Sequence, residues 1–285
     1  MDYTGVPTYT LTLSRELVKR GHSVKVYCPT DGPLSDIMHN CTELSNIEVP
    51  DVILGQGAKT TRYMKEQFPN IPMIFINHGV LPDEEQPPRF HIDRYIAINE
   101  QSVNLLTRQY VDPDKIDIVR DFIDIELYKG LQGLQTHPRV LFLSNYRKWK
   151  TYDVIEGACK KLGLEFRAVG SNYGRSRDVA TEINNSDIVI GWGRSILEGM
   201  ACGRAVISFN RLLGDGYLDT ERYIDSRQRN FGGFECRYTF TADQMAEELS
   251  KYKQEDGLIN RDLVVKYHDS VKCTDQILEV INKII

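Results

Sequence analysis

Twice along this chain, short apolar runs rich in β-branched residues alternate with longer segments whose apolar residues recur at helical spacing. Such alternation predicts parallel sheets with helices packed on their faces. In the first block, helical patterns cover 8–20, 58–67 and 100–110, and strand patterns cover 23–28, 52–54, 73–76, 95–98 and 116–119. Leu11, Leu13, Leu17 and Val18 mark the first helix, and Gly21 stops it. Residues 131–138 have no periodicity and predict a linker. The second block restarts with strands at 140–144, 165–169, 187–190 and 205–209 and helices at 152–162 and 195–202. Closing helices are predicted at 242–252, 260–267 and 270–285. The expected fold class is α/β, with two Rossmann-like doubly wound domains facing a cleft. Ligands of such sheets bind outside the carboxyl ends of the strands. The first helical pattern begins close to Met1, where a doubly wound domain normally has a strand. Either the N-terminal domain lacks its first strand or its start lies upstream.

Bulk properties narrow the function classes. The 285 residues are 41 % hydrophobic and 26 % charged, with a net charge of −5. That balance builds an ordinary core and lacks the basic footprint of a nucleic-acid binder. The cysteines, Cys28, Cys41, Cys159, Cys202, Cys236 and Cys273, form no CxxC pair and are expected as reduced thiols of a cytoplasmic protein. The histidines show no HxxxH or HExxH spacing, so no metal site is expected. No apolar run approaches the ~20 residues of a membrane span, and the polar start MDYTGVPTYT is unlike a signal peptide.

Four segments carry candidate chemistry. In 191–209 (GWGRSILEGMACGRAVISF) a strand enters a glycine-bracketed turn, Gly191-Trp192-Gly193, and then a helix. Glycines let backbone approach a ligand, and a helix N-terminus favours an anion. Ser195 is expected to cap this helix. Glu198, expected within its first turn, either accepts hydrogen bonds from a ribose diol or pairs with Arg194 at the surface. In 140–153 (VLFLSNYRKWKTYD) a strand ends in a cationic loop suited to a diphosphate. Gly5, with Val6 and Pro7, is expected in a loop ahead of the first helical pattern, where a glycine lets backbone approach a ligand. His78 follows a buried strand in 75–80 (FINHGV), at the end where ligands bind.

Segment 191–209 resembles the donor-binding motif of GT-B fold glycosyltransferases, in particular glycosyltransferase family 4 (glycosyl transferases group 1). The family pattern is Glu, seven residues, Glu, then Ala-Met-Ala-x-Gly-x-Pro-Val. Glu198 falls on the second glutamate, which in the family binds ribose, and GMACGRAVI follows the rest. Ile190 stands where the first, sugar-contacting glutamate belongs. Lys150 matches the family's phosphate-binding lysine. Asn145 stands in register with the arginine that normally accompanies it, and Arg147 lies two residues on. Residues 17–24 (LVKRGHSV) are similar to the family's first helix end, and 120–128 (RDFIDIELY) to its hinge motif Asn-Gly-Val-Asp-x-x-x-Phe.

The resemblance implies domains at 1–132 (acceptor side) and 133–255 (nucleotide sugar), with C-terminal helices over 256–285 crossing back to the first. It implies transfer of a sugar from a nucleoside diphosphate donor, UDP- or GDP-linked, to a glycan, lipid-linked or small-molecule acceptor, with retention and without a metal. No cofactor is expected beyond that co-substrate. The implied catalytic residues are Lys150 and His78. The implied donor contacts are Gly5, Asn145, Arg147, Lys150, Gly193, Arg194, Ser195 and Glu198. Polysaccharide or glycolipid assembly, with contact at the inner membrane face, is the implied setting. Two alternatives keep the scaffold: a sugar-nucleotide binder or partner subunit without transferase activity, and a sugar-nucleotide epimerase.

Overall fold

The computed structural model describes residues 5–28, 41–42, 48–80, 83–130, 133–145, 150–176, 178–211, 213–232 and 238–285. The chain divides into two compact units, Met1–Phe122 with Ser270–Ile285, and Ile123–Asp269. That division falls inside the hinge motif, upstream of the aperiodic linker at 131–138.

Unit 1 opens with α1 (Gly5–Lys19). The helix begins before the predicted 8–20, so Gly5 is its first residue and not a loop residue. Strands β1 (Val26–Tyr27) and β2 (Cys41–Thr42) pair with each other in parallel. The strand expected over 23–28 thus shrinks to two residues and stays outside the main sheet. That sheet holds β3 (Ile53–Gly55), β4 (Met73–Asn77), β5 (Arg94–Ala97) and β6 (Ile116–Ile118), all parallel and in sequence order. Helix α2 (Ala58–Gln67) follows β3, and α3 (Glu100–Arg108) follows β5, with Asn99 capping it by accepting the Ser102 N–H.

Unit 2 runs β7 (Val140–Leu143), α4 (Lys150–Leu162), β8 (Phe166–Val169), α5 (Val179–Asn184), β9 (Ile188–Gly191), α6 (Arg194–Ala201) and β10 (Ala205–Asn210). It continues with β11 (Leu213–Tyr217), α7 (Thr220–Arg227), β12 (Tyr238–Thr239), α8 (Ala242–Leu249) and α9 (Asp256–Tyr267). The sheet order is β12-β11-β10-β9-β7-β8. Strands β7 to β10 are parallel, but β11 and β12 extend the sheet antiparallel, a departure from the all-parallel expectation. The β10–β11 reversal is tight. A Cβ on Gly214 would lie 2.0 Å from the Ser208 carbonyl oxygen, so only glycine fits there.

Both faces of this sheet are buried, and the strand period of two sorts side chains between them. Val140, Phe142, Ile188, Ile190, Ala205 and Ile207 join α4 and α8 in one core. Leu141, Leu143, Val189 and Val206 join α6 in the other. Arg204, inside the GMACGRAVI segment, is wholly buried. Its guanidinium donates to the carbonyls of Cys202 and Ser186 and to Asn184 Oδ1, so it is a structural tie.

The chain leaves unit 2 beside its point of entry, where Ile123 bridges Asp269. The last helix, α10 (Ser270–Ile281), belongs to unit 1. Its Cys273, Ile277, Val280 and Ile281 pack with Tyr9, Leu13 and Leu17 of α1 onto Ile74, Ile76 and Ile96 of the sheet. The opposite face is covered from α2 and α3, through Met64, Phe68 and Leu106. Among the described residues no helix is long and apolar enough to cross a membrane.

Candidate functional site

In unit 2 the chain moves from β7 outward to β8, then returns across β7 to place β9 on its other side. Strand order reverses between β7 and β9. The helices that follow them, α4 and α6, pack on opposite faces. Their departure in opposite directions opens a crevice at the carboxyl ends of β7 and β9. Both sequence segments with candidate chemistry, 144–150 and 191–198, start there.

The turn from β9 into α6 is built on two glycines. A Cβ on Gly191 would lie 2.8 Å from Ser195 Cβ and 3.1 Å from the Leu143 carbonyl oxygen. Glycine therefore lets the first turn of α6 close against the end of β7. Gly193 has φ 54° and ψ −120°, a conformation hostile to side chains, and is the N-cap of α6. Ser195 is the second helical residue and does not cap the helix. The Gly193 N–H instead donates to the Phe231 carbonyl at 3.2 Å, which Ser208 Oγ also approaches at 3.3 Å. Asn230 and Phe231 both carry positive φ, 50° and 55°, as does Arg211 at 49°. Three non-glycine residues in this region beside the switch point store strain of the kind that gathers at binding sites.

Glu198 is the fifth residue of α6 and so lies in its second turn, not its first. Its Oε1 accepts the Tyr128 hydroxyl at 3.0 Å and lies 3.8 Å from Arg194 Nε. The pair is not a surface pair: the Arg194 and Glu198 side chains are 10 % and 13 % exposed. Burial, with Glu198 beside it, pushes the Tyr128 hydroxyl well above the usual phenol range and keeps it a donor. Tyr128 escaped the sequence reading. Its signal was the last position of the hinge motif, where tyrosine replaces the family's phenylalanine and adds a hydroxyl.

The β7 loop is less uniform. Ser144 Oγ accepts Asn210 Nδ2 at 3.2 Å, linking the ends of β7 and β10. Asn145 Oδ1 accepts the Ser171 N–H at 3.0 Å, and its carbonyl accepts Ser171 Oγ at 2.7 Å. The Asn145 amide oxygen is therefore committed to the turn after β8. Lys150 is exposed as the first residue of α4. Arg147 lies outside the described residues.

In unit 1 the polar residues sit after β3 and β4. His78 Nε2 is 3.1 Å from Gln56 Oε1, which also accepts Thr10 Oγ1 at 2.8 Å. The Tyr9 ring meets the imidazole edge to face at 4.6 Å. Gly5 is exposed, and a Cβ there would meet nothing within 4 Å, so sterics do not require glycine.

No protein-family model and no curated protein matches this chain. Solved structures do. HepE from Anabaena, in complex with UDP-glucose, matches with a TM-score of 0.70 at 14 % identity, over 99 % of this chain and 98 % of that one. A glycosyltransferase from Rickettsia africae ESF-5 matches at 0.69 and 15 %, over 99 % and 96 %. Sucrose-phosphate synthase from Thermosynechococcus elongatus matches at 0.66 and 12 %, over 97 % and 92 %. The chain has the GT-B fold.

Within this GT-B chain, Ile190 is the informative departure. It is 0 % exposed, lies inside β9, and packs in the α4–α8 core. Strand β9 runs directly into Gly191, so the position matched to the sugar-contacting glutamate faces apolar side chains.

Proposed function

We propose that this protein transfers a sugar from a nucleoside diphosphate sugar to an acceptor hydroxyl. The carrying observation is the convergence at one switch point of the Gly191–Gly193 turn, the start of α6 and the Tyr128–Glu198–Arg194 group. In this reading Glu198 receives the ribose hydroxyls, and Tyr128 and Arg194 hold its carboxylate in place. Lys150 places a positive charge at the start of α4, where it neutralises the diphosphate as it leaves. Arg147 and Asn145 are assigned to the same diphosphate, and Gly193, Arg194 and Ser195 line the phosphates. Gly5 and His78 serve from unit 1, His78 at a sugar hydroxyl. The bond from the anomeric carbon to the phosphate oxygen breaks, and a bond to the acceptor oxygen forms on the same face. The acceptor proton passes to the departing phosphate oxygen. Configuration is retained, and neither a metal nor a cofactor takes part. The protein's contribution is position and charge.

UDP-linked donors are favoured because HepE, of the same fold, is found with UDP-glucose. The buried Ile190 means that the donor sugar is recognised without a carboxylate at that position. It also motivates the second reading, a GT-B protein that binds the nucleotide sugar without transferring it. Incubation with UDP-glucose and other donors, with UDP release followed with and without acceptor glycosides, tests both. Acceptor-dependent release is expected. Binding without release would leave the second reading, and isomerised donor in the absence of acceptor would replace both with an epimerase.

A further inference from the structure

A diphosphate carries more than one negative charge, and Lys150 supplies a single positive charge against it. Asn145 stands where the family has its arginine and is neutral. Two arginines near the crevice are committed within unit 2. Arg194 lies beside Glu198, and Arg229 Nη2 binds Asp215 Oδ1 at 3.1 Å and Asp225 Oδ2 at 2.8 Å. Arg211 differs from both, because it is exposed.

Its place follows from the strand before it. Strands β7, β9 and β10 are parallel, so their carboxyl ends share the edge of the sheet where the crevice opens. Strand β10 ends at Asn210, which pairs with Leu213 across the β10–β11 reversal. Arg211 is the first residue after that end. Asn210 is buried, and both ends of its amide are used. Nδ2 donates to Ser144 Oγ at 3.2 Å, reaching past the end of β9 to the end of β7, and Oδ1 accepts the Arg211 N–H at 2.9 Å. One buried side chain therefore fixes Arg211 against the residue that precedes Asn145. The backbone at this position suits glycine: Arg211 has φ 49°, and the first position of a tight hairpin turn is usually Gly, Asn or Asp. The chain carries an arginine there against that local preference, and strain of this kind gathers at ligand clamps. A guanidinium fits a diphosphate well, since its planar fork can donate to two phosphate oxygens at once.

We propose that Arg211 binds the diphosphate of the nucleotide donor from the β10 end of the crevice, while Lys150 meets it from α4, and that Asn210 is the residue that positions Arg211. The assignment rests on the nucleotide-sugar reading given above. The guanidinium takes the part of the arginine that Asn145 replaces, but from a different strand.

The test is calorimetry on the full chain with UDP and with inorganic pyrophosphate, and ligand-observed NMR with uridine. Arg211→Gly removes the guanidinium and leaves a residue that accepts positive φ, so the variant should fold. It should weaken UDP about tenfold or more by removing charged hydrogen bonds, and leave uridine unchanged. Arg211→Lys keeps the charge without the fork and should fall between wild type and Arg211→Gly. Asn210→Ala should weaken UDP about threefold, again sparing uridine. Lys160→Ala removes an exposed cation near the C-terminal end of α4 and should bind UDP as wild type. Equal UDP affinity in wild type and Arg211→Gly overturns the assignment and leaves the nucleotide reading standing. An equal loss for UDP and uridine also overturns it, because the effect is then not on the phosphates. Pyrophosphate binding that depends on Arg211 in a chain that ignores UDP supports the assignment and sinks the UDP-sugar reading instead. A wild-type chain that binds neither UDP nor pyrophosphate overturns both.

Discussion

The two units cover a parallel sheet with helices, but they order their strands differently. In unit 1 the order β3-β4-β5-β6 runs one way, and α2 and α3 lie on the same face. In unit 2 the order reverses between β7 and β9, and α4 and α6 lie on opposite faces. A reversal leaves a crevice that backbone and helix ends line, so the site in unit 2 comes from topology. Without a reversal, the polar groups of unit 1 are supplied by turns: Gln56 after β3 and His78 after β4. One group is framed by the sheet and the other is assembled from side chains.

Substitutions can break this contrast. The largest effect is expected from Ile190→Glu, which restores the family's carboxylate by identity but places it in the α4–α8 core. It should cost ~4 kcal/mol or more of stability in urea unfolding. A folded variant with raised transfer activity would show that position 190 faces the crevice and not the core. Next, Lys150→Ala should lower turnover roughly a hundredfold with an unchanged melting temperature, as loss of a charge-stabilising group does. Unchanged turnover would remove Lys150 from the leaving-group role.

The Tyr128–Glu198 contact gives a finer comparison. Glu198→Gln should weaken nucleotide affinity by about tenfold or more, and Tyr128→Phe by about fivefold, measured by calorimetry with UDP. If Tyr128→Phe proves the more damaging, the tyrosine binds ligand directly rather than holding Glu198. The last comparison concerns pH and is read in stability rather than in activity or affinity. Burial pushes the Cys159 and Cys202 thiols of unit 2 up to about 12, against about 8.5 in an unfolded chain. Between those values the folded state holds more protons than the unfolded state, so stability falls as pH rises. The slope is about 1.4 kcal/mol per pH unit for each thiol. Urea melts at pH 8, 9 and 10 should show the loss, and Cys159→Ala should make it shallower. A flat profile would mean that these thiols ionise without unfolding.

Much of the fold was legible because local signals and packing agree. Helix α2 spans the predicted 58–67, and β4, β7 and β9 fall within a residue of their apolar runs. Residues 210–232 were not legible as β11 and α7. Gly214 and Gly216 look like turn signals in isolation, yet Gly214 lies in a strand because β10 passes too close for a Cβ. The same limit applies at the site. The glycines of 191–193 and Glu198 share one local segment and were readable together. Tyr128 reaches Glu198 from 70 residues away, through tertiary packing that no local spacing encodes. Ile190 was located by register alone, and register carries no information on whether a side chain faces a crevice or a core.

The return of α10 to unit 1 sets an order of assembly. Unit 2 is one continuous stretch, Ile123–Asp269, and has all its core residues once that stretch has been made. Unit 1 has its sheet far earlier, but one face waits for Cys273, Ile277, Val280 and Ile281. On a ribosome the first unit to begin is therefore the last to finish, and its half-covered sheet is the surface a chaperone would meet.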